Sequence, residues 1–190
     1  MARPLSEEKR KALLAAAANE IASVGIAAST SKIAKNAGVA EGTLFVYFPT
    51  KDDLLNQLYL DLKSDLTLIL SADYSVDASV QEQFQRLWSQ FVEWGASHPN
   101  KWRALRQLSV SERITEDSQR AGETMFTDFQ TMVAEGFKTG VLREQPVSFL
   151  AGIIQALADM VLEMAFREPD QLCQLKSMGW EALWGAISRP

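Results

Sequence analysis

A short segment between residues 29 and 51 carries side chains that could bind a polyanion. Its hydroxyl groups come from Thr30, Ser31, Thr43 and Tyr47, and Lys51 adds an ammonium group at its end. Proteins hold the phosphates of nucleic acids with hydroxyl, backbone amide and ammonium donors of this kind. The segment therefore predicts contacts with a phosphate backbone.

Three further residues of the same segment predict contacts with the edges of bases. Glu41 carries a carboxylate, which can accept a hydrogen bond from the amino group of cytosine in the major groove. Gly42 follows it and permits close approach of the backbone, and Val46 lies one helical turn further on. We predict that Glu41 reads a base, with a solvated surface position as the alternative.

Two short helices joined by a tight turn are needed to present these residues. Thr30 is a suitable cap for the first helix, and Gly38 suits the left-handed turn that would end it. The second helix is predicted over residues 41–48, with Leu44 and Phe48 facing inward. This arrangement is typical of a helix-turn-helix DNA reader.

The charge distribution agrees with such a reader. Residues 1–51 hold seven basic and four acidic side chains, a net charge of +3, whereas the remainder holds 12 basic and 20 acidic ones, a net charge of −8. The positive charge therefore lies beside the predicted reading helices, although the whole chain has a formal charge of −5. Only that surface needs to face phosphate.

Apolar residues recur at helical spacing along the rest of the chain. The pattern predicts an all-α fold of about nine helices. An N-terminal three-helix helix-turn-helix domain would occupy residues 1–51, and a larger C-terminal helical bundle would occupy residues 52–190.

Several helix boundaries can be predicted from start and stop signals. Thr50 and Asp53 form a capping box for a long helix that would link the two domains, followed by a loop near residues 71–77. Another long helix is predicted over residues 115–138, and the last helix is predicted over residues 169–187.

Composition argues against several classes of protein. The single cysteine, Cys173, excludes an intrachain disulfide and suits a reducing cytosol, and the single histidine, His98, lacks a second histidine for a metal. Gln155, Asp159 and Glu163 interrupt the most apolar stretch, which argues against a membrane span. We therefore expect a cytoplasmic protein with no metal, cofactor or catalytic residues, and an enzyme is the less favoured alternative.

A ligand pocket is predicted inside the C-terminal bundle. Aromatic and methionine residues recur there at helical spacing, and two polar residues interrupt an otherwise apolar helix. Core packing is the alternative for the former, and solvent exposure or an intersubunit hydrogen bond is the alternative for the latter. The candidate ligand residues are Trp88, Phe91, Trp102, Met125, Phe129, Gln155 and Asp159.

A dimer interface is predicted near the C-terminus. Gly152, Ala156 and Met160 recur about one turn apart on one helix, and small residues at this spacing allow close packing of helices. Packing within one chain could use the same face. A dimer would gain affinity by reading two major grooves one helical turn of DNA apart.

The segment over residues 10–57 resembles the TetR family of bacterial transcriptional regulators. The resemblance implies a homodimer formed by the last two helices, with a ligand pocket inside each C-terminal bundle. One departure is Phe45, where many members have a tyrosine that bonds phosphate, so this contact is lost here. The matching positions are Thr30, Ile33, Ala34, Ala37, Gly38, Val39, Gly42, Thr43, Leu44, Tyr47, Phe48 and Lys51.

The sequence therefore predicts a ligand-responsive transcriptional regulator. Its partners would be double-stranded operator DNA, a small-molecule effector and a second copy of the chain. Repression of a palindromic operator, relieved by the effector, is the favoured mechanism. A protein-binding module that uses the helix-turn-helix as a scaffold is the alternative.

Overall fold

A computed structural model describes residues 5–72 and 78–189 of the chain. In this part the secondary structure consists of ten α-helices, one short 3-10 helix and an isolated β-bridge between Leu142 and Ser188. The all-α prediction is confirmed. The helices are α1 (Glu7–Val24), α2 (Thr30–Asn36), α3 (Glu41–Tyr47), α4 (Lys51–Ser71), α5 (Val80–Ser97), α6 (Pro99–Ser109), α7 (Glu116–Thr124), α8 (Thr127–Lys138), α9 (Val147–Arg167) and α10 (Leu172–Ile187).

The capping box predicted at the start of α4 is present in the structure. At α4, the backbone N–H of Asp53 donates to the hydroxyl of Thr50, and the backbone N–H of Thr50 donates to the carboxylate of Asp53, both at 3.0 Å. Such a reciprocal pair satisfies two backbone donors that no helical carbonyl can reach. At α1, the Ser6 hydroxyl accepts from the backbone N–H of Lys9.

Two predicted helices have different boundaries in the structure. The helix predicted over residues 115–138 is interrupted between α7 and α8, where the Thr124 hydroxyl donates to the carbonyl of Ala121 at 2.9 Å. Side-chain hydroxyls of this kind compete with the helical hydrogen bonds of the backbone. The last predicted helix begins as a 3-10 helix, Pro169–Gln171, and continues as α10. Most of the loop predicted near residues 71–77 lies outside the described residues.

The chain divides into two compact units. The first extends to Asp65 and resumes over residues 98–125, whereas the second comprises residues 66–97 and the chain from Phe126 onward. The helix α4 contributes to both units, and α6 and α7 belong to the unit of the helix-turn-helix. The predicted domain boundary after residue 51 falls inside the first unit, so a functional division at that point stays a prediction.

In the first unit, α1 packs against α2 and α6, and α2 packs against α3. The side chains of Leu13, Ala17 and Ile21 form the apolar stripe of α1 and are fully buried. Burial of this stripe fixes the short helices that carry the candidate DNA contacts, because helices of seven residues gain little stability alone.

In the second unit, α9 packs against α5 and α10, and α10 also packs against α5. A glycine permits the last contact: a Cβ atom on Gly179 would lie 2.5 Å from Cζ2 of Trp88. The indole N–H of Trp88 donates to the carbonyl of Lys176 at 2.8 Å, and the ammonium group of Lys176 bonds Glu93. These contacts give the second unit a core of its own.

Candidate nucleic-acid interface and ligand cavity

The turn between α2 and α3 is closed by a left-handed glycine. Gly38 has a φ of +72° and donates its N–H to the carbonyl of Lys35 at 3.1 Å, and Val39 donates to the carbonyl of Ala34 at 3.0 Å. These bonds satisfy carbonyls at the end of α2 and direct the chain into α3. The predicted turn is confirmed.

The start of α2 differs from the prediction. Thr30 is the first helical residue, and Ser29 occupies the cap position without a side-chain capping bond. The Ser29 and Ser31 hydroxyls lie 2.7 Å apart, while the Thr30 hydroxyl donates to the carboxylate of Glu41 at 2.7 Å. Thr30 does not cap α2, because its hydroxyl reaches across to the first residue of α3 instead.

The exposed face of α3 carries most of the predicted reading residues. Glu41, Gly42 and Val46 are exposed, whereas Thr43 and Tyr47 are half-buried. As predicted, Leu44 and Phe48 are buried. The same exposed face includes Phe45, whose side chain is 41% exposed. Phe45 is not among the predicted DNA contacts, because it lacks the hydroxyl group of the tyrosine found there in many family members. Phe45 lies one helical turn after Glu41 and Gly42, so helical spacing alone could have predicted that it shares their face.

Tyr47 joins α3 to the beginning of α1. Its hydroxyl oxygen accepts a hydrogen bond from the backbone N–H of Ser6 at 3.0 Å. A phenol can accept and donate at once, so its proton remains suited to a phosphate oxygen.

Lys51 lies at the start of α4, half-buried. Burial lowers the pKa of its ammonium group, and the nearby positive charge of Arg113 lowers the pKa further, whereas Asp52 opposes both. Arg113 itself pairs with Asp52, its Nη1 atom lying 2.7 Å from Oδ1. The sequence did not indicate Arg113, because only the fold brings it to α4.

Some basic side chains of the N-terminal segment are already paired. Lys32 lies 3.0 Å from the carboxylate of Glu20, which is buried and also accepts from Asn36 at 2.6 Å. Arg10 pairs with Glu7 at 3.5 Å and donates to Gln57 at 2.9 Å. Fewer than the seven basic side chains of this segment are therefore left to contact DNA, although its net charge of +3 already includes Glu7 and Glu20.

A crevice in the second unit is the candidate ligand site. Its apolar wall consists of Leu70, Leu87, Phe126, Phe129 and Met132, and its polar residues are Ser71, Gln83, Arg86, Gln90 and Asp128. The cavity volume is about 30 Å³. Ligand pockets commonly measure roughly 300–1,000 Å³, so the crevice must open to admit a metabolite.

The structure does not bring the seven predicted ligand residues together. Phe129 lines the crevice, whereas Trp88 and Phe91 are buried on α5 within the same unit. The two polar candidates on α9 are bonded to each other, Gln155 donating to Asp159 at 2.7 Å. Gln155 is exposed and Asp159 is half-buried, and helical spacing places both at one edge of the buried stripe that holds Ile154, Ala158, Val161 and Leu162. Trp102 and Met125 belong to the first unit.

A metal site has no support in the described part of the chain. Among residues 5–72 and 78–189, no group of three or more His, Cys, Asp and Glu side chains could hold an ion.

Sequence comparisons match both parts of the chain. Residues 13–58 match the bacterial regulatory proteins of the tetR family. The chain is 32% identical over 163 residues to an uncharacterized HTH-type transcriptional regulator of Haemophilus influenzae, an alignment that covers 85% of each protein. It is 28% identical over 117 residues to the fatty acid metabolism regulator protein of Bacillus subtilis, and this alignment spans only 60% of each protein.

Solved structures share the whole fold. A candidate TetR-family transcription regulator from Shewanella sp. PV-4 superposes with a TM-score of 0.86 at 25% identity, over 96% of this chain and 99% of that one. The regulator FadR from Bacillus subtilis, in complex with stearoyl-CoA, superposes with a TM-score of 0.71 at 22% identity, over 92% and 97% of the two chains. Together with the helix-turn-helix geometry, these matches show that the chain belongs to the TetR family and is a DNA-binding transcriptional regulator.

Proposed function

We propose that the protein is a homodimeric repressor that leaves a palindromic operator when a small-molecule effector enters its second unit. The observation that carries this proposal is the exposed apolar face of α9. A single chain presents one reading helix of seven residues, α3, whereas two chains can read two major grooves. As a chromosome-binding regulator, it would act in the cytoplasm without a catalytic role.

The exposed face of α9 supports a second copy as its partner. Phe149, Met160 and Met164 are 61%, 50% and 46% exposed, and α10 adds Met178 at 57%. Between them, a Cβ atom on Gly152 would meet no atom within 4 Å, which leaves room for another helix. Groups of exposed apolar side chains commonly mark interaction sites.

Lipid is the other possible cover for this face. Among the described helices, α9 alone is long and apolar enough to cross a membrane. Gln155 is exposed and Asp159 is half-buried at the edge of this face, however, and polar side chains are costly in hydrocarbon. An isologous dimer can accommodate such a bonded pair, so we propose the second copy as the partner.

The proposed DNA contacts divide into two groups. The proposed phosphate contacts each offer a hydroxyl or ammonium donor: Thr30, Ser31, Thr43, Tyr47 and Lys51. The proposed base contacts come from the exposed face of α3, where Glu41, Gly42 and Val46 lie.

For the effector, we propose an amphipathic metabolite, with a long-chain acyl-CoA as the first candidate. The apolar wall and the Arg86 side chain of the crevice suit an apolar chain attached to an anionic group. The relatives named above include a fatty acid metabolism regulator and a regulator bound to stearoyl-CoA. Because the crevice holds only about 30 Å³, the effector would select a conformation in which it is open.

The helix α4 would carry the response between the units, since it contributes to both. An effector coupling of about 1–3 kcal/mol would change operator affinity roughly 5–150-fold. Titration of the operator complex with acyl-CoA esters of increasing chain length tests this part of the proposal. An unchanged operator affinity at every chain length would contradict an acyl-CoA effector while leaving the DNA-binding function intact.

Selection of genomic fragments by the purified protein tests the operator proposal. We expect a shared palindrome that the parent enriches and a Tyr47→Ala variant does not. Enrichment of the same fragments by both proteins would remove Tyr47 from the interface. If no fragment is enriched while a protein partner is retained, the scaffold alternative is correct.

A further inference from the structure

The hydroxyl group of Thr30 is hydrogen-bonded to a carboxylate within the protein. Thr30 is the first residue of α2, Glu41 is the first residue of α3, and the Thr30 hydroxyl donates its proton to Oε1 of Glu41 at 2.7 Å. A threonine hydroxyl has one proton to donate. It therefore serves either Glu41 or a phosphate oxygen, but not both.

The Glu41 carboxylate accepts its hydrogen bond from the Thr30 hydroxyl. Lys32 and Asn36 of α2 are already engaged by the carboxylate of Glu20 on α1. A phosphate bound by Thr30 would thus lie within a few ångströms of an exposed carboxylate. Two negative charges at that separation repel each other, and the repulsion persists unless the carboxylate finds a new donor.

Only some DNA sequences offer that donor. The exocyclic amino groups of cytosine and adenine point into the major groove, whereas guanine and thymine present acceptors at the corresponding position. When a phosphate displaces the Glu41 carboxylate from Thr30, the carboxylate can accept a hydrogen bond from cytosine or adenine. Opposite guanine or thymine, it stays beside the phosphate without a hydrogen-bond donor.

We propose that the Thr30–Glu41 hydrogen bond is a specificity device that suppresses binding to DNA without an amino group at the contacted position. Glu41 acts as a specificity-determining residue mainly by penalising unmatched DNA, and Thr30 couples that penalty to phosphate binding. Discrimination can arise from repulsion of the wrong partner as well as from attraction to the right one. The inference rests on the proposed contact between Thr30 and a phosphate.

The test compares operator DNA with a random duplex of equal length for the full-length protein. Glu41→Gln keeps the acceptor for Thr30 and removes the charge, and Glu144→Gln removes an equal, exposed charge from the second unit as a control. We expect Glu41→Gln to raise affinity for random DNA about tenfold, because the penalty falls on unmatched sites, and to lower operator affinity, because the charged acceptor for the base amino group is lost. The salt dependence on random DNA should steepen by about one released counterion.

A second variant tests the coupling. In a Thr30→Val background, the hydroxyl is absent, so Glu41→Gln should change random-duplex affinity by less than about threefold. Equal gains on both DNAs, no gain on random DNA, or an undiminished effect in the Thr30→Val background would each overturn the inference. If the parent shows no preference for a selected operator, the proposed function fails together with the inference. If the parent prefers the operator but the variants behave in one of these ways, only the inference fails.

Discussion

Tyr47 shows how one side chain of the reading head can have both a structural and a DNA-binding part. Its hydroxyl oxygen holds the backbone N–H of Ser6, which fixes the beginning of α1 beside α3. Its proton remains available to a phosphate oxygen. Lys51, at the start of α4, has a different constraint, because burial and the charge of Arg113 lower the pKa of its ammonium group. Phosphate would restore the stability of the charged form.

Replacement of Lys51 by methionine should weaken binding to every DNA sequence alike. Loss of one phosphate contact should reduce the slope of log affinity against log salt by about 0.9. Because the pKa of Lys51 is lowered, its charge is lost on raising the pH before the ordinary lysine value of about 10.4 is reached. Parent affinity should therefore fall in the alkaline range, measured by fluorescence anisotropy.

Lys51→Arg is the matched control, since arginine stays protonated throughout that range. It should keep the salt slope, and its affinity should fall less than that of the parent over the same alkaline range. An identical pH profile for the parent and the arginine variant would show that Lys51 does not contact phosphate.

Among structural elements, the α2–α3 turn illustrates what sequence alone can predict. Local rules of backbone geometry predict the left-handed Gly38 and the capping box at Thr50, and the helical period predicts the buried Leu44. All three lie where the sequence indicated. The bond between Thr30 and Glu41 joins two helices across the turn, and no spacing rule indicates it.

The candidate ligand residues show the same limit more severely. An aromatic residue at a buried helical position has the same sequence pattern whether it lines a cavity or fills a core. Trp88 is buried in the core and does not line the crevice. Gln155 was a reasonable candidate because it interrupts an apolar helix. Its outward position follows from the side on which α5 and α10 pack against α9, which only the fold decides.

Two glycines of the helix-turn-helix should respond oppositely to alanine. Gly38 has a φ of +72°, so Gly38→Ala should lower the free energy of unfolding by roughly 1–2 kcal/mol, although no atom lies within 4 Å of the new methyl group. Gly42 has equally open surroundings but a helical backbone, so Gly42→Ala should raise stability by up to about 1 kcal/mol.

The effect of Gly42→Ala on operator binding should be opposite to its effect on stability. The methyl group of Gly42→Ala lies on the exposed face of α3 and should weaken operator binding despite the gain in stability. Urea unfolding and operator titration of both variants measure the two properties separately. Full operator affinity in Gly42→Ala would show that the backbone of α3 does not approach DNA at that residue.

At the scale of the whole molecule, the proposed dimer would make both specificity and regulation depend on assembly. One reading helix contacts too few base pairs for tight, selective binding, whereas a dimer combines the binding free energies of two half-sites. The exposed apolar side chains of α9 would be covered in such a dimer. The same face explains why α9 is apolar enough to resemble a membrane span by composition.

A large side chain at Gly152 should therefore separate folding from assembly. Because a Cβ atom there meets no neighbour within 4 Å, Gly152→Phe should leave the single chain folded while blocking the approach of a second α9. We expect a monomer in sedimentation equilibrium and a loss of operator affinity of about a hundredfold or more. The melting temperature of the parent should rise with protein concentration, whereas that of the variant should not. Ala134→Phe, at an exposed position of α8, provides a control of equal bulk that should remain dimeric. A dimeric Gly152→Phe variant with parental operator affinity would place the interface on a different surface.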